Sequence, residues 1–379
     1  MRYSLKTGAC IRRGEITDQQ KTKRPGSVHQ SEADTFKKLL TDIPKAEIHL
    51  HLEGLASVDT IWALMNENKV SVEGINSREE LQKRFQVKSL DEFISLFINV
   101  IQNCFKKDSD FDFLIRDARD YLKRNNIVYA EIFFAPTKFL LNGFHFDNMI
   151  RILDEGAERL KLEDGLNVNF IIDVSRSYGI ENAKKNFELT LTHRAEHIIG
   201  IGLGGAESQG PARLFKDIFQ KARKNGLRVV AHAGEDIGPE SIWEALEELG
   251  SERIGHGISA ITDEGLMNYL MQTRTPLEIC PTSNLFTRKF VKTLKEHPIK
   301  DFYDRGICVT VNTDDPTLFN IELIQEYMNL LNNGIFKPSE LLSIVKNTVF
   351  ATFQEKAAKD TLWKEIEEKI NLAGFTIDS

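Results

Sequence analysis

Residues 227–257 read LRVVAHAGEDIGPESIWEALEELGSERIGHG, and this stretch decides the fold. It begins with a short apolar run (227–233) and ends with a second run, ERIGHG (252–257). Between them lies a helical pattern, SIWEALEELG, whose closing Gly250 suits the left-handed residue that ends many helices. A strand, a helix and a second strand in this order predict one βαβ unit of a parallel sheet.

The same alternation extends over most of the chain. Eight runs rich in Ile, Val and Phe predict strands: AEIHLHL (46–52), IVYAEIFF (127–134), NVNFIIDV (167–174), HIIGIGLG (197–204), LRVVAHA (227–233), ERIGHG (252–257), PLEICP (276–281) and ICVTVNT (307–313). Continuous apolar strands are typical of a parallel sheet that helices cover on both faces. Eight units in one chain predict a closed (β/α)8 TIM barrel, in the α/β class, rather than an open sheet.

Three segments lie outside this repeat. Residues 1–40 are predicted to form a basic N-terminal arm, which we expect to be solvated. A helical segment from about 57 to 125 interrupts the first unit, and we expect it to cover the mouth of the barrel as a lid. Further helices are predicted after residue 320. Because no linker rich in Gly, Ser and Pro appears, residues 41–379 are predicted to form a single domain.

Composition and charge exclude several classes of protein. The chain has 379 residues, of which 41% are hydrophobic and 28% charged, and this excludes a disordered or collagen-like protein. No basic stripe follows residue 30, so no nucleic-acid partner is expected. The four cysteines lie far apart, which suits a reducing compartment. Since neither a membrane-length apolar run nor a secretory signal is apparent, we expect a cytoplasmic protein without a membrane partner.

Polar residues stand at the carboxyl ends of the predicted strands, which meet on one face of a barrel. The first strand ends in His49-Leu50-His51, and alternate residues of a strand share a face. Later strands end in HAGE (232–235), GHG (255–257) and NTDDP (312–316). Each piece alone also fits a buried pair or an ordinary turn. Together they would be costly to bury without a metal or substrate, and three His with one Asp suit Zn²⁺.

Two other motifs suggest different functions, but the residues around them do not support those functions. A GxGxxG pattern at 200–205 suggests a dinucleotide site, but Pro211 delays the next helix and the next strand ends in His232 instead of an acid. His51-Leu52-Glu53 mimics the HxE of cytidine-type deaminases, yet no PCxxC follows. Gly204-Gly205 is better explained as backbone that lets a planar ligand approach closely.

Five motifs, PKAEIHLHLEG, HAGE, IGHG, PLEICPTSN and VNTDDP, follow one another in the order of a known family. They resemble the adenosine/adenine deaminases of the amidohydrolase superfamily, and the resemblance covers roughly residues 43–350. It implies a (β/α)8 barrel and an enzyme, a purine aminohydrolase acting on the C–N bond of a cyclic amidine. It also implies one Zn²⁺ per chain, bound by His49, His51, His232 and Asp314.

The resemblance further implies a role for each remaining site residue. Glu235 would donate a proton to purine N1, and His256 would orient and deprotonate the zinc-bound water. Asp315 would contact N7, and Gly205 would contact N3. Because Glu235 must be a carboxylic acid when substrate is bound, its pKa is expected to be raised.

The motifs depart from the adenosine deaminase pattern in two places. Glu53 stands where the family usually carries an Asp that reaches the ribose 5′-hydroxyl, and Gly202 stands where an acid is common. GLGG, the segment from HAGE to IGHG, and DVSRSYG (173–179) look like the aminodeoxyfutalosine deaminases of menaquinone biosynthesis. We expect adenosine to be converted to inosine and ammonia. The alternatives are an aminodeoxyfutalosine deaminase, an adenine deaminase and, remotely, an inactive binding homologue.

Overall fold

Eight parallel strands form the centre of the molecule in a computed structural model that describes residues 30–87 and 90–378. The strands are β1 (Lys45–His51), β2 (Ile127–Phe134), β3 (Asn167–Asp173), β4 (Ile198–Leu203), β5 (Arg228–Ala233), β6 (Arg253–His256), β7 (Leu277–Ile279) and β8 (Val309–Val311). Each pairs with the next in chain order. Beyond the end of β8, Asp314 exchanges backbone hydrogen bonds with His49 and His51 of β1, which brings the last strand back to the first. The predicted (β/α)8 barrel is confirmed.

Helices surround this barrel. They are α1 (Gln30–Asp42), α2 (Val58–Glu67), α3 (Arg78–Arg84), α4 (Leu90–Leu96), α5 (Gln102–Cys104), α6 (Phe111–Arg124), α7 (Thr137–Leu141), α8 (Phe146–Asp164), α9 (Gly179–Thr192), α10 (Lys216–Lys224), α11 (Pro239–Glu244), α12 (Glu264–Thr273), α13 (Pro281–Thr287), α14 (Ile299–Asp304), α15 (Pro316–Phe319), α16 (Leu323–Asn332), α17 (Pro338–Ala351) and α18 (Lys356–Leu372). Two π-helical turns, Phe97–Ile101 and Ala245–Leu249, extend α4 and α11. None of the described helices is long and apolar enough to cross a membrane.

The eight predicted strands are all present, and four of them are shorter than predicted by one or two residues, but the last two are shorter by three and four. β7 ends at Ile279 because Pro281 begins α13, where its missing N–H costs nothing in the first helical turn. β8 ends at Val311 because the backbone then turns, and Asp314 adopts a left-handed conformation with φ of +66°.

The helical segment between β1 and β2 divides into two parts. Its last helix, α6, packs against β2 and α8 and therefore belongs to the outer layer of the barrel. The part before it reaches the carboxyl-terminal mouth, where Phe93 of α4 stacks on Phe319 of α15 with 5.5 Å between ring centroids. Only this first part, α2 to α5, lies where a lid is expected.

The predicted boundary at residue 40 falls inside α1. Residues 1–29 of the predicted arm lie outside the described residues. In α1, Phe36, Leu39 and Leu40 are buried in the same hydrophobic core as the barrel helices. The packed part of the chain therefore includes α1.

A buried cluster of charges fills the amino-terminal end of the barrel. We call it the floor cluster and define it as Arg253, Glu131, Glu278 and Phe353. The Arg253 guanidinium lies 2.5 Å from a carboxylate oxygen of Glu131 and 2.5 Å from one of Glu278. The Phe353 ring lies 3.8 Å below it, and its backbone N–H donates to Glu131 at 2.6 Å. The charges of this cluster are therefore paired within the protein.

Candidate metal centre and active site

The two histidines of β1 point into the barrel from alternate positions, as the HxH spacing predicts. His49 is fully buried, and its Nδ1 lies 2.7 Å from Glu278 of the floor cluster. An ionised Glu278 can only accept, so Nδ1 carries the proton and the lone pair of Nε2 is free. That Nε2 has no hydrogen-bond partner. The carboxylate thus prepares His49 as a metal ligand.

His51, His232 and Asp314 meet His49 at one point. The Nε2 atom of His51 lies 3.2 Å from Asp314 Oδ1 and 3.2 Å from His232 Nε2. One ligand atom from each of the four residues lies within 4.8 Å of the others. Converging nitrogen and oxygen lone pairs with an unpartnered Nε2 are a donor set that fits a divalent cation such as Zn²⁺.

Negative charge dominates the surroundings of this donor set. Burial alone would lower the pKa of His51, but Asp315 and Asp314 raise it to about 10. Burial would raise the pKa of Asp314, yet its hydrogen bond with His51 holds it well below the usual range. A bound cation would balance the surplus of carboxylates.

Glu235 and His256 lie beside the four converging residues. Burial, followed by the charge of Asp314, raises the pKa of Glu235 well above that of an ordinary carboxyl. Burial lowers the pKa of His256 to about 3, so its imidazole is neutral. His256 Nε2 lies 3.4 Å from Glu235 Oε2. A carboxyl whose pKa is raised and a neutral imidazole therefore face the same space.

A residue that sequence reasoning missed shapes the turn carrying Glu235. Glu207 is buried, and its carboxylate accepts from the four consecutive backbone N–H groups of Gly234, Glu235, Asp236 and Ile237 at 2.6–3.1 Å. It also accepts from the Ser241 hydroxyl at 2.7 Å. The only signal in the sequence is one acid within GIGLGGAE, 28 residues before Glu235.

Glu53 is buried in the short 3-10 helix that follows β1. Its Oε1 accepts from the side chain of Gln102 at 3.1 Å and from the backbone of Ala135 at 3.2 Å, whereas Oε2 has no partner. Burial raises the pKa of this carboxyl to about 7. Gln102 of α5, which sequence reasoning missed, therefore ties the insertion to the site.

Asp315 lies between Asp314 and the first residue of α15 and is also buried. Its Oδ1 has no hydrogen-bond partner. Burial and the charge of Asp314 raise the pKa of Asp315 well above the usual range. Any side chain at Gly54 would overlap the Asp315 carboxylate, so the glycine of HLEG makes room for it.

The ends of β3 and β4 form the neighbouring wall. Gly205 has φ of +83°, and a Cβ there would lie 2.6 Å from Ser177 Oγ, so the position requires glycine. Asp173 accepts from the backbone of Ser175 at 2.9 Å and of Gly204 at 2.8 Å. We call Glu53, Asp173 and Asp315 the acidic wall, because all three carboxyls are buried around His51 and interact electrostatically with it.

The structure thus brings all nine predicted site residues to the carboxyl-terminal mouth of one barrel. A sequence model of the adenosine deaminase family matches residues 44–369. The chain belongs to this family. It is therefore a member of the adenosine/adenine deaminases of the amidohydrolase superfamily, a group of metal-dependent hydrolytic deaminases.

Relatives with three different substrates resemble the chain about equally. It is 33% identical to the aminodeoxyfutalosine deaminase of Streptomyces avermitilis, over 86% of this chain and 91% of the relative. It is 32% identical to the adenosine deaminase of Shewanella loihica, over 85% and 98%. The crystal structure of an adenine deaminase from Arthrobacter aurescens superposes with a TM-score of 0.82 at 28% identity, covering 87% of this chain and 99% of that one. Similarity alone does not choose the substrate.

Proposed function

We propose that the protein is a zinc-dependent deaminase that converts adenosine to inosine and ammonia. The observation that carries this proposal is the convergence of His49, His51, His232 and Asp314 beside an acid with a raised pKa, Glu235. A zinc ion held by these four residues would lower the pKa of a water molecule to about 7.

The remaining residues serve the purine ring. Water adds at C6, which resists attack until N1 is protonated, and Glu235 is the proton donor because burial raises the pKa of its carboxyl. Asp315, with its free Oδ1, faces N7, and the backbone of Gly205 faces N3. The two protons of the water balance the step: one leaves with the 6-amino group as ammonia, the other replaces the proton that Glu235 gave to N1, and the ring becomes a 6-oxo purine.

The acidic wall supports a neutral nucleoside as the substrate. Glu53 Oε2 is buried without a donor, and a sugar hydroxyl supplies one. Burial raises the pKa of the Tyr178 hydroxyl, and the nearby carboxyls of Asp173 and Glu53 raise it further. A phosphate group would find no cation among these three buried acidic residues, and free adenine would leave Glu53 Oε2 without a partner. These charges favour adenosine over adenosine monophosphate and over adenine.

Aminodeoxyfutalosine is the second candidate substrate, and the similarity to the Streptomyces avermitilis enzyme favours it. A larger 5′ substituent fits beside Glu53 only if the insertion makes room. Gln102 of α5 contacts Glu53, so a displacement of α2 to α5 would enlarge this side of the site.

The experiment is a kinetic comparison of adenosine, adenine, adenosine monophosphate and aminodeoxyfutalosine, followed by loss of the 6-aminopurine absorbance. We expect kcat/KM for adenosine to exceed that for adenine by about one to two decades, the value of one charge-assisted hydrogen bond. The monophosphate should be the poorest nucleoside substrate. A higher kcat/KM for aminodeoxyfutalosine would replace adenosine in the proposal, and ammonia release from none of the four would overturn it.

A further inference from the structure

A chain of hydrogen bonds enters the site from the backbone of α14. The N–H of Ile299 lies 3.1 Å from Nδ1 of His297. A backbone N–H can only donate, so His297 Nδ1 accepts. An imidazole whose Nδ1 accepts is neutral and carries its single proton on Nε2. The position of the first proton in the chain is therefore fixed by the backbone.

Asn284 is the next residue in this chain of hydrogen bonds, and His297 fixes the orientation of its amide. His297 Nε2 lies 3.2 Å from Asn284 Oδ1, and only the carbonyl oxygen of an amide can accept that proton. The NH₂ group of Asn284 then faces His256, with 3.1 Å between Nδ2 and Nδ1. All three side chains are buried, with at most 3% of each exposed. Each donor in the chain therefore has one acceptor and no competing solvent.

We infer that Asn284 and His297 are positioning residues that hold the proton of His256 on Nε2. Nδ1 of His256 must accept from the Asn284 amide, so the proton lies on the nitrogen that faces Glu235 Oε2 at 3.4 Å and Asp314 Oδ2 at 4.0 Å. His256 itself has a φ of +61°, a conformation that directs its ring into the site.

This proton position changes the role of His256. A neutral imidazole protonated on Nε2 donates a hydrogen bond from that atom and cannot accept a proton there. His256 would thus stabilise the oxygen that attacks C6 as a donor, and it would not serve as the general base that the family resemblance implies. This consequence for catalysis rests on the proposed function. The inference about the His256 tautomer is independent of it.

Nitrogen-15 NMR of the zinc-loaded, full-length protein with labelled histidines tests the tautomer directly at neutral pH. The His256 signals are assigned by their loss in His256→Gln. We expect an unprotonated Nδ1 and a protonated Nε2. The reverse pattern in the wild-type protein would overturn the inference, whichever purine the enzyme deaminates.

Asn284→Asp is the sharpest variant because it replaces one NH₂ group with an oxygen of similar size. Both carboxylate oxygens accept, one from His297 and the other from His256, so the His256 proton should move to Nδ1. We expect the NMR pattern of His256 to reverse and kcat to fall by about 10²-fold, the usual effect of losing one positioned donor, with KM little changed. An unchanged spectrum and unchanged kcat would contradict the inference.

Two further variants separate positioning from folding. His297→Gln keeps a donor toward Asn284 Oδ1 and should retain the tautomer and most of kcat, whereas loss of the tautomer in His297→Gln would contradict the relay. Asn186→Asp places the same charge in a buried site on α9, where Asn186 contacts Thr137, and should leave kcat unchanged. If Asn284→Asp does not fold, the wild-type spectrum and His297→Gln still decide. Absence of deaminase activity with a normal His256 spectrum would refute the proposed function alone.

Discussion

Two buried polar clusters lie at opposite ends of the same barrel and differ in how they are satisfied. In the floor cluster, Arg253 is held between Glu131 and Glu278 and covered by Phe353. At the mouth, buried polar atoms lack partners. They are His49 Nε2, His232 Nδ1, Glu53 Oε2 and Asp315 Oδ1. A polar group buried without a partner costs roughly 1–3 kcal/mol, so the mouth gains from added ligands.

The backbone conformation also distinguishes the mouth from the floor cluster. His256 and Asp314 at the mouth have left-handed conformations, with φ of +61° and +66°, which cost of order 1–3 kcal/mol each. The three charged residues of the floor cluster have no such conformation. The comparison teaches that the floor stabilises the fold, whereas the mouth gives up stability at the proposed metal and substrate site.

The largest effect is expected from removing a proposed metal ligand. Asp314→Ala deletes one of the four converging ligand atoms, so zinc content and deaminase activity should fall together. Metal analysis of the purified variant, beside the ammonia-release assay, measures both. Full zinc occupancy in Asp314→Ala would place the fourth ligand elsewhere.

A substitution in the floor cluster should lower the free energy of unfolding. Arg253→Met leaves Glu131 and Glu278 buried without their cation, and we expect a loss of about 3–5 kcal/mol in the free energy of unfolding. Urea denaturation measures it. Arg305→Met is the matched control, because Arg305 is exposed, pairs with Glu264 and should cost far less. Equal losses in the two variants would remove the distinction between a paired floor and an unpaired mouth.

Glu235→Gln tests the proton donor at the mouth. An amide fills the same space but cannot protonate N1, so kcat should fall at least ~10²-fold while zinc content is unchanged. Turnover near the wild-type rate would show that another group supplies the proton.

Glu53→Ala tests the sugar side of the site. If Glu53 Oε2 binds a ribose hydroxyl, the variant should raise KM for adenosine and lower its kcat/KM by about one to two decades. Free adenine, which has no sugar, is the internal control and should be little affected. Equal losses for nucleoside and base would mean that Glu53 acts only through its contacts with Gln102 and Ala135.

The smallest effect is a pH dependence of stability. Burial raises the pKa of Glu53 to about 7, above its value in the unfolded chain. The folded state then retains a proton that the unfolded state has lost, so stability falls as pH rises from about 4.5 to 7 and is level above 7. In metal-free protein, Glu53→Gln should remove this slope, at most about 1.4 kcal/mol per pH unit. An identical pH profile in the variant would contradict the raised pKa of the buried Glu53 carboxyl.

The sequence predicted the barrel because parallel strands are buried on both faces and appear as uninterrupted apolar runs. It placed the nine site residues at one mouth because the strand ends of a barrel meet there. It missed Glu207, Asn284 and His297, whose roles depend on tertiary folding that brings distant segments within hydrogen-bond distance. A single acid, amide or imidazole carries no periodic signal.

The most direct test of the account is a zinc titration of the metal-free chain with adenosine as substrate. Ammonia release should be absent after chelation and should rise in proportion to added zinc until one equivalent per chain is bound. Parallel titration of Asp314→Ala should show neither tight binding nor release. Wild-type protein that binds one zinc yet leaves adenosine, adenine and aminodeoxyfutalosine unchanged, or that deaminates adenosine without any metal, would contradict the account.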